Sequence, residues 1–573
     1  MTNLIDKNNN KNLLILVLPF IVESIFAKGV KTRSFLAFPY GPLTIASYIK
    51  KKNPDHKVKI LDLNLFDGSE NNLLDIIDDE IQNFQPDIVG MSMMFDQSYS
   101  YVDKLAKLIK TKKKDIPIIL GGASASTAWT EIVEEQKNID AVCFSEGEVA
   151  ILNLMNSDNY LEEFKKDPWM TYEKLIEKGK NYKPKSIVEN NLNSVVDLDY
   201  SFVDVNRYSM KEAFSPFASY RDREDVKQFF LVTSRGCPFK CVFCAEPSLH
   251  GAAMRYADVD SIITHVKKLK NKYGMNVLTF YDDQLLLNVK RAKELFKELA
   301  KLNIRCEAPN GVTLVYIDDE MAGLMRDAGF DTLPLAIESG SDYMLNKVIK
   351  KPLVTRKINP VVESLHKHNI FVQGYFVIGL PGEREIDRQE TVKVIKDAGI
   401  DWSGFSLASP VRGSELFVKA KENGWVKEDD LKLGNIQGNR YILNSNNIEC
   451  TKEELIDKSY YMNLDVNFVN NRAMATKDYN TAIRCFLEVS ERYPGHVFAH
   501  EYLAKCYAKL DPVKYKNEIE KNKKIAKQHL SEDDDGFWTK AYEYFKKNQN
   551  GYLENYNLRK KDLEIKPGNF IQN

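Results

Sequence analysis

Three cysteines, Cys237, Cys241 and Cys244, fall within eight residues, at i, i+4 and i+7. They directly follow the apolar run 229–233, so a loop at a strand end can wrap three thiolates around one inorganic core. A structural zinc site usually takes four ligands in CxxC pairs. No second pair exists, because Cys143, Cys306, Cys450, Cys485 and Cys506 are all isolated. Three thiolates on a four-iron cluster leave one iron open for a substrate or cosubstrate, and thiolate ligation suits iron–sulfur chemistry. A zinc site or a chance cluster is the plainer alternative. Eight cysteines in 573 residues are too sparse for a disulfide scaffold.

The spacing, with Phe243 before the third cysteine, resembles the radical S-adenosylmethionine (SAM) superfamily. Further segments carry the resemblance in order: Tyr281-Asp282-Asp283, then Glu338-Ser339-Gly340-Ser341, then Gly379-Leu380-Pro381-Gly382-Glu383. The resemblance covers about 225–425 and implies a 4Fe–4S cluster on Cys237, Cys241 and Cys244, the catalytic centre. It implies SAM on the open iron, with Phe243, Arg255, Tyr281, Asp282, Asp283, Glu338, Ser339, Gly379 and Pro381 around it. A carboxylate such as Glu338 suits ribose hydroxyls because it accepts two hydrogen bonds at once. Singly these segments are weak, since a strand-end acid is often a helix cap and a Gly-Pro turn usually just a turn.

The elements that must position these residues alternate along the chain. Apolar runs at 13–18, 57–63, 88–93, 116–120 and 141–144 are separated by amphipathic stretches. Continuous apolar runs suit a parallel sheet buried on both faces, and five such units make a doubly wound α/β domain over 1–150. Residues 151–225, rich in Lys, Asp and Asn, read as a linker with some helix. Six further βα units over 226–430 suggest a partial barrel, whose ligands sit at the carboxyl ends of the strands. From 431 to 573 the region is read as helical. Residues 479–510 form two helical patterns around Pro494 and Gly495 and resemble one tetratricopeptide repeat. The tail after Gly551 is polar and expected to be loose.

In this superfamily a five-unit α/β domain before the barrel is most often a Rossmann-like cobalamin-binding domain. The resemblance implies corrin contacts from Tyr40, Gly41, Pro42, Asp62, Ser92, Met93, Gly121, Gly122, Ala123, Ser124, Glu146, Gly147 and Glu148. One departure stands out: the Asp-x-His-x-x-Gly sequence is missing, and the context of His56, the domain's only histidine, does not match it. Related radical SAM enzymes commonly bind cobalamin without a protein histidine on the cobalt.

The resemblance implies a cobalamin-dependent radical SAM methyltransferase acting on an unactivated carbon through a 5′-deoxyadenosyl radical and methylcobalamin. Rival readings are a cyclase or ring-rearranging enzyme with the same cofactors, a radical SAM enzyme whose first domain is vestigial, and a scaffold protein. A methylthiotransferase fits less well, because that family adds three N-terminal cysteines and 1–150 has only Cys143. The expected partners are a small-molecule, lipid or peptide substrate, a flavodoxin- or ferredoxin-type one-electron reductant, and a protein on the C-terminal helices. With 80 Lys+Arg against 81 Asp+Glu, no global charge drives binding to nucleic acid or anionic membrane. The longest apolar run, 13–22, is too short to span a bilayer, and a cytoplasmic location is the expectation.

Overall fold

The computed structural model describes residues 10–20, 22–23, 31–32, 38–66, 70–208, 225–435, 443, 448–554 and 556. The tail expected to be loose lies almost wholly outside them. The chain divides into two compact units: Met1–Ala213 with Lys227–Leu285 and Ser409–Tyr441, and Phe214–Val226 with Leu286–Ala408 and Ile442–Asn573. The architecture is α/β, with a doubly wound N-terminal domain, a βα-repeat domain and a helical C-terminal region.

The first unit holds a six-stranded sheet. Its order is Lys57–Asp62, Asn12–Val17, Ile88–Ser92, Ile118–Gly121, Ala141–Cys143, Trp169–Met170. The first five strands are parallel and, counted in chain order within this sheet, run 2-1-3-4-5, which puts the topological switch point between Asn12–Val17 and Ile88–Ser92. Alternate residues feed two cores. Leu13 and Ile15 pack with Ile49 and Leu154 on one face; Leu14 and Leu16 pack with Ile77, Leu105 and Ile132 on the other. The stretch read as linker departs from expectation at two points. Glu148–Asn156 is a helix of the first domain, and Trp169–Met170 adds an antiparallel sixth strand. A two-residue strand carries too little periodicity to be seen in sequence.

The expected strands of the second α/β series are all present. Gln228–Leu231 and Val277–Phe280 pair in parallel within the first unit. In the second unit, Thr332–Glu338, Phe371–Ile378 and Trp402–Leu407 form a parallel sheet, and Arg305–Glu307 is the strand preceding them. The second unit also holds the C-terminal helices Lys452–Leu464, Tyr479–Arg492, Val497–Leu510, Lys516–Ser531 and Phe537–Lys547. The pair around Pro494 shares one apolar core with Phe468, Leu464 and Ala541. No helix among the described residues is long and apolar enough to cross a membrane.

Candidate functional site

The cysteine loop leaves the strand Gln228–Leu231 and is closed at its base by a short hairpin, Ser234–Arg235 against Arg255–Tyr256. Gly236 has φ +99°, and a Cβ there would lie 2.4 Å from the Ala253 carbonyl oxygen, so the loop narrows sharply before its first cysteine. The Cys237 N–H donates to the Gly251 carbonyl (3.1 Å) and the Cys244 N–H to that of Cys241 (3.0 Å). None of the three cysteines is in a disulfide, and the Gln284 amide donates to the Cys237 sulfur at 3.4 Å. Burial pushes the Cys244 thiol up to about 12, helped by the charges of Glu246, Cys241 and Cys237. The Cys237 and Cys244 thiols, both raised by burial, therefore keep their protons until a metal displaces them.

The strand-end acids shape this loop. Asp282 is buried and accepts from the Thr233 N–H (3.0 Å), the Thr233 hydroxyl (2.7 Å) and the Ser234 hydroxyl (2.6 Å). Asp283 accepts from the Gly236 N–H at 2.9 Å and lies 2.9 Å from His250 Nδ1. Burial disfavours the His250 imidazolium, but Asp283 and Glu246 outweigh it and lift its pKa to about 10. Tyr281 stacks on Phe230 (5.2 Å) and meets Tyr40 edge-on (6.3 Å); Phe243 is half-buried. The Tyr40 hydroxyl accepts from the Val232 N–H at 2.8 Å.

In the second unit, the Glu338–Ser341 and Gly379–Glu383 segments are fastened to one helix, Glu385–Ala398. Gly340 N–H donates to Thr391 Oγ1 (2.9 Å) and the Ser341 hydroxyl to Asp387 (2.7 Å). Glu338 has φ +72°, an uncommon conformation for a residue with a side chain, and pairs with buried Lys351 at 3.0 Å. Ser339 is buried, with its hydroxyl 3.4 Å from Thr391 Oγ1. Gly379 has φ +81° and donates its N–H to Glu383 at 2.7 Å, while Pro381 is half-buried. Arg388, fully buried, holds Glu383 and Glu385 at 3.0 Å each.

At the switch point of the first sheet, Ser92 ends the strand Ile88–Ser92 and Met93 follows it, and the Met93 N–H donates to the Gly121 carbonyl at 2.8 Å. Gly122 has φ +106°, and a Cβ there would sit 2.5 Å from the Met93 carbonyl oxygen. Ala123 and Ser124 open the next helix, and the Ser124 hydroxyl bonds the Met94 carbonyl at 2.9 Å. Gly41 and Pro42 lie in the first turn of Tyr40–Lys52, and a Cβ on Gly41 would meet nothing within 4 Å. Met94 is 47% exposed, and Phe20 packs on Phe95 at 4.2 Å. The sequence reading missed Phe20 and Phe95, although aromatics at strand ends add to the apolar surface a corrin needs.

Other members of the expected corrin set also make contacts within the protein. Asp62 caps the turn Leu63–Leu65 and accepts from the Tyr208 hydroxyl at 2.8 Å. Glu146 and Glu148 are buried against Arg235 and Arg255. Burial raises the Glu148 carboxyl, and the Arg235 guanidinium outweighs it, holding it below the usual range. Gly147 lies against Ile45. Cys306, Cys485 and Cys506 are buried, and Trp402 packs edge-on against Phe468 at 5.6 Å.

Residues 231–407 match the family model of the Radical SAM superfamily, and residues 29–155 match that of the B12 binding domain. The chain therefore carries a B12-binding domain followed by a radical SAM domain, and it is an enzyme of the radical SAM class. These domains define the cofactors: a 4Fe–4S cluster and SAM for one, cobalamin for the other.

A curated relative is the cytidylyl-2-hydroxyethylphosphonate methyltransferase of Streptomyces wedmorensis, 27% identical over 472 residues, covering 76% of this chain and 87% of that protein. Among solved structures, the cobalamin-dependent S-adenosylmethionine radical enzyme OxsB, with aqua-cobalamin bound, aligns with a TM-score of 0.60 at 14% identity, over 91% of this chain and 81% of that one. The radical S-adenosylmethionine methyltransferase TsrM from Kitasatospora setae, with tryptophan and a SAM analogue bound, aligns with a TM-score of 0.53 at 14% identity, over 73% and 77%. The last two likenesses concern the fold.

The residues present fit the cofactors. Three thiols outside any disulfide on one tight loop match a cluster with an open iron. The open space at Gly41 and the exposed Met94 fit a corrin at the strand ends.

Proposed function

We propose that the protein is a cobalamin-dependent radical SAM methyltransferase that methylates an unactivated carbon of a small-molecule substrate. The observation that carries this reading is a three-cysteine loop without disulfides in a chain that also has an open, partly apolar switch point in a B12-binding domain. When bound, the cluster and SAM supply a 5′-deoxyadenosyl radical and cobalamin supplies the methyl group.

The chain's own part is to hold and orient. Cys237, Cys241 and Cys244 are the cluster ligands, with the Gln284 amide bonding the Cys237 sulfur. Asp282 and Asp283 serve SAM through the loop backbone they tie down. Glu338, paired with Lys351, is the acceptor for the ribose hydroxyls, beside Ser339; Gly379 and Pro381 form the turn at the adenine. Phe243 and Tyr281 screen the cluster side from water. Gly41, Pro42, Met93, Gly121, Gly122 and Ser124 frame the corrin, with Met94, Phe20 and Phe95 as its apolar seat. The tetratricopeptide-like helix pair offers a surface for a protein partner, an external one-electron reductant starts each turnover, and the oxygen sensitivity of such a cluster supports a reducing cytoplasm.

The test is the coproducts of SAM. Reconstituted protein given SAM and dithionite yields both 5′-deoxyadenosine and S-adenosylhomocysteine, the latter only when hydroxocobalamin is bound, and its substrate leaves heavier by one CH2. Formation of 5′-deoxyadenosine alone, with cobalamin loaded, contradicts methyl transfer and supports the cyclase.

A further inference from the structure

The cysteine loop has two arginines facing each other across its base. Ser234–Arg235 pairs antiparallel with Arg255–Tyr256, and the register sets Arg235 directly opposite Arg255. Like charges at opposed positions repel, and burial strengthens the repulsion. Arg235 is 6% exposed and the Arg255 side chain 11%. By itself this hairpin is an unfavourable closure.

The compensating charge comes from the loop after the strand Ala141–Cys143. Glu146 Oε2 accepts from Arg235 Nη1 (2.7 Å) and Arg255 Nη1 (3.0 Å), and its other oxygen pairs with Arg255 Nη2. Glu148 Oε1 accepts from Arg235 Nη2 at 2.7 Å. Ser145, from the same loop, has φ +69° and donates its hydroxyl to the Leu249 carbonyl at 2.5 Å, inside the cysteine loop. Ser145, Glu146 and Glu148 of the N-terminal domain thus fasten both the stem and the middle of the cysteine loop. Cys237 begins two residues after Arg235, so the ligand loop is continuous with the clamp.

We propose that Glu146, Glu148, Arg235 and Arg255 are positioning residues, a neutral buried quartet that closes the cysteine loop and sets its three thiols for the cluster. Neither carboxylate then contacts the corrin, and Arg255 reaches SAM only through the loop it holds. The B12-binding domain is part of the cluster site. The proposal rests on the reading of Cys237, Cys241 and Cys244 as cluster ligands.

The experiment uses the full chain, reconstituted anaerobically with iron, sulfide and hydroxocobalamin, as wild type and as Glu146→Gln. With far-ultraviolet circular dichroism unchanged, Glu146→Gln binds hydroxocobalamin within about twofold of wild type but loses iron affinity by about tenfold or more, the usual scale for an outer partner of a metal ligand. Per iron bound, its formation of 5′-deoxyadenosine from SAM and dithionite falls by a similar factor, and Glu146→Asp recovers part of both. A Glu146→Gln protein that loads iron and cleaves SAM like wild type overturns the proposal. So does one that keeps its iron and loses hydroxocobalamin, which makes Glu146 a corrin contact. Should Glu146→Gln not fold, the double variant Glu146→Gln/Arg255→Gln decides, because it removes one charge of each sign. It folds and loads more iron than the single variant if the quartet works by charge; equal or lower iron overturns this. A wild-type protein that loads no four-iron cluster overturns the underlying reading, whatever the variants do.

Discussion

At Gly340 one hydrogen atom decides whether the loop after Thr332–Glu338 can meet the helix Glu385–Ala398. A Cβ there would lie 2.5 Å from Thr391 Cα and 2.7 Å from the Glu390 carbonyl oxygen, both backbone atoms of a helix that cannot yield cheaply. Gly340→Ala is expected to destabilise the protein by roughly 1–3 kcal/mol, read from denaturant unfolding; an unchanged midpoint contradicts the tight approach. His250 gives a pH prediction. Its pKa in the folded protein, about 10, is raised above the ordinary value near 6.5 by Asp283 and Glu246, against its burial. A raised histidine adds stability that is fully present below about pH 6.5 and is lost as pH rises through about 10. The stability gap between wild type and His250→Gln should therefore narrow between those limits, and a gap constant with pH counts against the pairing. At this scale the cysteines and the turn glycines were legible in the sequence, because local spacing and φ requirements mark them. The partners of Glu146 were not. Its arginines stand 89 and 109 residues away, and nothing local distinguishes a carboxylate that will meet an arginine from one that will face a cofactor.

Among the elements, the short π-helical turn Asp465–Val469 does the work of a missing strand. Trp402–Leu407 ends the parallel sheet of the second unit, and Asn467 mimics a further strand beside it. The Asn467 amide accepts from the Ser403 N–H at 2.8 Å and donates to the Ser403 carbonyl at 2.8 Å, fully buried. Asp401, at the start of that strand, is held by Arg472 at 2.8 Å. Asn467→Ala leaves two buried backbone groups unpaired, at a cost of roughly 2–5 kcal/mol. A thermal shift no larger than that of an exposed alanine substitution would contradict the strand-mimic role. The strands themselves were readable, since buried parallel strands are continuous apolar runs and their neighbours have helical periodicity. The helices from 452 onward were readable as helices, but a sheet edge satisfied by one asparagine side chain has no periodicity to betray it.

For the whole molecule, composition excluded much and assigned little. A net charge of −1 and sparse cysteines left an ordinary globular protein; the order of the two α/β series, with a cysteine loop after the first strand of the second, supplied the reading. The compact units do not follow the order of the chain. Ser409–Tyr441 returns to the first unit, where Arg412 pairs with Glu131 at 2.7 Å and Gly434 N–H bonds Asp96 at 2.8 Å. Such long-range returns are invisible to local pattern. The central claim is that one chain holds both a cluster and a corrin. The most direct measurement is anaerobic reconstitution with iron, sulfide and hydroxocobalamin, followed by visible spectra and metal analysis. The account predicts about four irons and about one corrin per chain, with the iron lost and the corrin kept in a Cys237→Ala/Cys241→Ala/Cys244→Ala variant. A protein that loads the cluster but shows no corrin absorbance with excess hydroxocobalamin contradicts it and leaves the first domain without its cofactor.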